Sequence, residues 1–164
     1  MISIDKKSLL VSIEDKTLIE KLQELGGLLY NENKLTLLEA AYFAERGVLD
    51  LNKDDLLKMQ KKKDKLAEDK YAVIKNLRDN GYIVRMSLDD SEYFRVYQKG
   101  FRPNEDRTKY ILRVVPKNWK TDIKDMEESI DFANKLRKEL VFAYVDGAEK
   151  TEIRFIKINR TVFQ

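Results

Sequence analysis

The sequence predicts a mixed α+β fold: a small N-terminal α+β domain over residues 1–64, then a C-terminal α/β domain over residues 65–164 with a central mixed sheet and flanking helices. Three observations carry this expectation. Short β-branched apolar runs alternate with segments of 3.6-residue periodicity along the chain. A charge-rich helical stretch from Asn52 to Gly81 separates an opening unit of roughly fifty residues, too small to bury much alone, from the remainder. Near the end, ELVFAYV (Glu139 to Val145) is a continuous apolar run of the kind buried on both faces of a sheet.

The elements follow in order. SLLVSI (Ser8 to Ile13) reads as a strand because Val11 and Ile13 are β-branched. From Asp15, Leu18, Ile19, Leu22 and Leu25 recur at helical spacing until Gly26 and Gly27 stop the helix. LLY (Leu28 to Tyr30) reads as a short strand. The next helix, LTLLEAAYFAERG, starts with Thr36 and Glu39 at capping-box spacing and ends at Gly47; VLDL (Val48 to Leu51) follows as a small strand. Asn52 caps the long helical stretch, Asp54 and Asp55 suit the positive end of its dipole, and Gly81 ends it. Lys61, Lys62 and Lys63 suit a nucleic-acid contact, but Asp64, Glu68 and Asp69 follow at once, which favours a solvated face of a connecting helix. Strands are expected at Tyr82 to Leu88, Tyr93 to Gln98 and Lys109 to Val115, a helix at Thr121 to Lys138, and two strands, Glu139 to Val145 and Glu152 to Ile158, joined by the turn DGAEK.

Composition removes whole classes of chemistry. The 164 residues include no cysteine and no histidine, which eliminates thiolate nucleophiles, disulfides, the Ser-His-Asp arrangement and histidine-bound zinc. Carboxylates, Lys, Arg, Tyr, Ser and Thr remain as candidate catalytic groups. Hydrophobic residues at 43% suffice for a core, and no apolar run approaches the ~18 residues needed to span a membrane, so a cytoplasmic protein is expected. Charged residues of both signs, 37% together, fit a thermophilic protein.

The net charge of +3 arises entirely in the second half. Between Phe94 and Lys120 eight basic residues face only Glu105 and Asp106, with Tyr97, Phe101, Tyr110 and Trp119 interleaved. That pattern suits nucleic acid, with Arg95, Lys99, Arg102 and Lys109 as RNA-binding candidates; equally, it suits a solvated sheet face whose aromatics enter the core.

The strings YAVIKNLRDNGYIVR, FRVYQKG, KYILRVVP and RKELVFAYVD, in this order, resemble the C-terminal domain of archaeal tRNA-intron (tRNA-splicing) endonucleases. LTLLEAAYFAERGVLDL resembles the small N-terminal domain of the same family. The resemblance implies a nuclease-like C-terminal fold and metal-independent RNA cleavage, in which a 2′-hydroxyl attacks the adjacent phosphate to leave a 2′,3′-cyclic phosphate and a 5′-hydroxyl. It implies no cofactor and no metal. The family assigns the base, acid and electrostatic roles to a Tyr, a His and a Lys.

Carried onto this chain, the tyrosine of FRVY is Tyr97 and the lysine of KEL is Lys138. The histidine position, two residues before Lys109, holds Arg107; a shift of one places Asp106 or Thr108 there. Arginine, with a pKa above ~12, binds phosphate but is a poor proton donor. Asp131 stands where catalytic members carry a base-stacking arginine. Read as plain structure, Tyr97 is a strand-end aromatic and Lys138 a cation favoured by the helix C-terminus. The resemblance therefore implies a non-catalytic, structural subunit with relic positions Tyr97, Arg107 and Lys138. Its expected partners are a catalytic paralogue, in a heterotetramer with two of each subunit, and precursor tRNA. Asp146 and Glu149 of the DGAEK turn are the subunit-interface candidates, and the strand Glu152 to Ile158 with the tail Thr161 to Phe163 is a second possible contact. The alternatives are an active RNA endonuclease in which Arg107 or Asp106 replaces the acid, and a stand-alone RNA-binding module.

Overall fold

A computed structural model describes residues 1–87, 92–100, 102–104, 107–147 and 152–163. The N-terminal half runs β1 (Ile2–Asp5), β2 (Leu10–Ile13), α1 (Lys16–Glu24), β3 (Lys34–Thr36), α2 (Leu37–Glu45) and α3 (Lys53–Lys61). The rest runs α4 (Ala67–Asp79), β4 (Val84–Met86), β5 (Tyr93–Tyr97), β6 (Thr108–Val114), α5 (Ile123–Lys135), β7 (Glu139–Asp146) and β8 (Glu152–Ile158). One antiparallel sheet has the order β1-β2-β3. The other, β4-β5-β6-β7-β8, is mixed: β6 and β7 run parallel, joined through α5, while the other neighbours are antiparallel. The expected α+β fold with a central mixed sheet and flanking helices is thus observed.

Local chemistry explains most helix ends. Asp15 caps α1 by accepting from the Thr17 amide at 2.9 Å, and Asn52 caps α3 through the Asp55 amide at 3.0 Å. Thr36 and Glu39 form the expected reciprocal capping box on α2. Asp122 caps α5 through the Asp125 amide at 2.8 Å.

Three expectations are corrected. Leu28 to Tyr30 is a turn, because side chains satisfy its backbone: the Leu29 amide donates to Glu32 and the Tyr30 amide to Asn104. The strand beside β2 is instead β3, which the sequence reading assigned to the lead-in of α2; β1 was also missed. Val48 to Leu51 is not a strand either, since the Gly47 and Val48 amides turn back onto Ala44 and Phe43 to close α2. The stretch from Asn52 to Gly81 is two helices. Asp64 breaks it by accepting from the Leu66 amide at 2.9 Å and from Lys70 at 2.6 Å.

The boundary at residues 64 and 65 falls in this α3–α4 turn, and one hydrophobic cluster spans both sides of it, from Leu22 and Leu38 to Val73, Val84, Leu112 and Val145. Alternation along β7 divides the layers. Ala143 and Val145 join that cluster, whereas Leu140 and Phe142 face the α5 side with Ile111, Ile130 and Ala133. No helix among the described residues is long and apolar enough to cross a membrane.

Two arginines stitch the halves together. Arg78 on α4 donates to the carbonyls of Leu25 and Gly26 after α1, and to Val84, while its guanidinium stacks on Phe43 at 5.0 Å. Burial lowers its pKa to about 10. Arg85 on β4 is buried and reaches Glu39 at 2.9 Å and Glu32 at 2.8 Å, both from the N-terminal half.

Candidate active site

The register of three strands assembles one end of the sheet. Tyr97 closes β5 opposite Thr108 at the start of β6, with a bulge between Val96 and Tyr97. Arg107 immediately precedes Thr108. The parallel pairing of Tyr110 with Glu139 brings the start of β7 alongside, and with it Lys138. Lys138 is delivered by the exit from α5: the Arg137 amide donates to Asn134 at 3.0 Å and the Lys138 amide to Ala133 at 2.9 Å. This turn requires a left-handed backbone at Arg137, φ 56°.

Tyr97, Arg107 and Lys138, about forty residues apart at the extremes, line a single cavity of about 370 Å³. Tyr97 is buried, Arg107 exposed and Lys138 half-buried. The Lys138 Nζ donates to the Thr108 carbonyl. Burial lowers its pKa, and the charges of Arg107 and Arg95 lower it further. Glu32 and Arg85 also line the cavity. Neither was among the candidates; the one available signal was a lone arginine inside the apolar run YIVRM.

The RNA-binding candidates do not converge. Arg95 lines the cavity of Tyr97, but Lys99 borders another of about 430 Å³ beside Tyr82, Tyr110 and Phe155. Arg102 borders a third, of about 590 Å³, with Glu20, Glu24 and Tyr30. Lys109 lies over the Tyr110 ring at 5.5 Å. Asp131, exposed on α5, pairs with Arg160 at 3.2 Å. Asp146 accepts from Lys117 of the same chain at 2.5 Å, and this contact first, with the amide of Gly147, holds its carboxyl below the usual range. Glu149 and Asp106 lie outside the described residues.

The arrangement offers a cationic, partly enclosed surface with a phenol and no imidazole. It can hold an anion, while the Arg107 guanidinium is a poor proton donor near neutral pH.

Comparison with known proteins identifies the family of the chain. Residues 67–155 match the family described as tRNA intron endonuclease, catalytic C-terminal domain. The chain is 37% identical over 136 residues to a tRNA-splicing endonuclease of Thermococcus onnurineus, spanning 79% of this chain and 77% of that protein. It is 37% identical over 140 residues to one of Pyrococcus abyssi, spanning 81% and 79%. For one of Methanothermobacter thermautotrophicus the figures are 33% over 129 residues, 75% and 76%. With the strand ends, the cavity and these matches in agreement, the chain belongs to the tRNA intron endonuclease family.

Proposed function

We propose that this chain is the structural, non-catalytic subunit of an endonuclease that cleaves precursor tRNA at intron boundaries. It assembles in the cytoplasm with a catalytic paralogue, two of each, and supports the paralogue's active site. The observation that carries this reading is Arg107, which lines the cavity with Tyr97 and Lys138 where the family's histidine is expected. A permanent cation there leaves the 5′-oxygen without a proton donor. Asp131, turned to Arg160, supports the same conclusion. Asp146 and Glu149 are the proposed docking residues, and residues 1–64 and 65–164 the two proposed domains.

The test is cleavage of a bulge-helix-bulge RNA. The lone chain should leave it intact, and adding a histidine-bearing paralogue should produce cleavage. Robust cleavage by the lone chain, abolished by Tyr97→Phe, would overturn the proposal in favour of an enzyme with a replaced acid. If the chain instead binds structured RNA alone, with affinity falling steeply as salt rises, and ignores the paralogue, it is an RNA-binding module.

A further inference from the structure

We propose that the cavity bounded by Arg95, Arg107 and Lys138 is a binding site for a dianionic phosphate, free or as a terminal monoester. Charge accounting leads there. Arg85 is matched by Glu39 and Glu32, and Glu32 is the sole carboxylate among the described residues lining the cavity. Arg95 and Arg107 make no ion pair among the described residues, and Lys138 has only the neutral Thr108 carbonyl. Among the described residues, three cations therefore face one space without a counter-charge. Arg95 also stands directly opposite Arg85 in the β4–β5 register, and since Glu39 and Glu32 are taken up by Arg85, neither is left to answer Arg95. The lowered pKa of Lys138, caused by burial and then by Arg107 and Arg95, reports the same crowding.

An oxyanion would supply the counter-charge that Arg95, Arg107 and Lys138 lack. Guanidinium groups suit it best, since their planar forks donate two parallel hydrogen bonds to paired phosphate oxygens. A monoester, with a second pKa near ~6, is close to dianionic at neutral pH, whereas a diester carries one charge. Three unmatched cations therefore favour a terminal or free phosphate over an internal phosphate of an RNA strand. The site deepens, and rests on, the reading of this cavity as one that holds without cleaving.

The chain, freed of RNA, is titrated at fixed ionic strength and pH 7.5 with inorganic phosphate, a nucleoside 3′-monophosphate and a dinucleoside phosphodiester, followed by calorimetry. Inorganic phosphate and the nucleoside monophosphate should each bind at least about tenfold more tightly than the diester, and Arg95→Gln and Arg107→Gln should each weaken both about tenfold. Both arginines are exposed, so their variants should unfold at the wild-type temperature. Tighter binding of the nucleotide than of inorganic phosphate would identify an RNA end as the source, and equal binding free phosphate; both outcomes support the site. No saturable binding, equal binding of the diester, or unchanged affinity in both variants would overturn it. Cleavage of RNA by the lone chain would end the subunit reading while leaving these binding results intact, so the two fail separately.

Discussion

The Nε of Arg85 donates to Glu39 at 2.9 Å across the seam between the two halves of the chain, and Glu39 is only 1% exposed. Glu39 is the capping-box residue of α2, so one carboxylate both starts a helix and anchors a strand from the other half. Its remaining bonds come from the Thr36 amide at 3.1 Å, the Thr36 hydroxyl at 2.9 Å and the Met86 amide at 3.4 Å.

Removing Arg85 alone leaves that carboxylate buried without its cation. Arg85→Met should destabilise the fold by about 3–5 kcal/mol, whereas the double variant with Glu39→Gln should lose less than the sum of the two singles. Urea denaturation of the four proteins measures the coupling; strict additivity would show that the pair does not act as a unit.

Arg137 occupies a left-handed conformation at φ 56° in the turn that presents Lys138. A Cβ is unfavourable there and glycine is the usual occupant. Arg137→Gly should stabilise the protein by about 0.5–1 kcal/mol, seen as a rise of a few degrees in Tm. A fall in Tm would mean the Arg137 side chain makes a compensating contact.

Gly26 and Gly27 end α1 for different reasons. Gly26 needs its positive φ of 73°; Gly27 does not, but a Cβ on it would lie 2.7 Å from the buried Phe43 ring and 3.3 Å from the Leu22 carbonyl. Gly27→Ala should therefore cost about 1–3 kcal/mol by overpacking, checked by chemical denaturation. Adding Phe43→Leu should recover part of the loss if the ring is the cause.

Glu45 gives stability a defined acid dependence. Burial pushes its pKa up, but hydrogen bonds from Lys75, at 2.8 Å, and Tyr71 outweigh this and leave it below its ordinary 4.5. Because the folded value is the lower one, the contribution is complete above pH 4.5 and disappears as pH falls through the folded value. Glu45→Gln should cost no more than about 1 kcal/mol at pH 7, given the group's partial exposure, and nearly nothing well below pH 4. A gap that persisted in acid would assign the loss to packing.

What the sequence revealed of the fold was what local chemistry decides. Asp15, Thr36 and Asn52 announce helix starts because a cap needs only its own first turn. The break at Asp64 was equally local but hidden, since an aspartate inside a charged helical run looks like any surface residue until its side chain takes the Leu66 amide. The strands β1 and β3 are only four and three residues long and are held by pairing with β2 between them, so neither shows a periodic run of its own. For the cavity, resemblance supplied Tyr97, Arg107 and Lys138, and the structure gathers them. Glu32 and Arg85 stayed invisible because their meeting depends on a turn at one end of the chain and a strand register in the other half.

The bond from Lys138 to the Thr108 carbonyl does work that no chemistry requires. It fastens the exit of α5 to the first residue of β6, so the fold has its own use for this lysine whatever the cavity does. Arg107, exposed at the mouth of the same cavity, has no such second duty among the described residues. A lysine at this position is therefore as much a fastener of the scaffold as a cation of the cavity, and its presence does not by itself report activity.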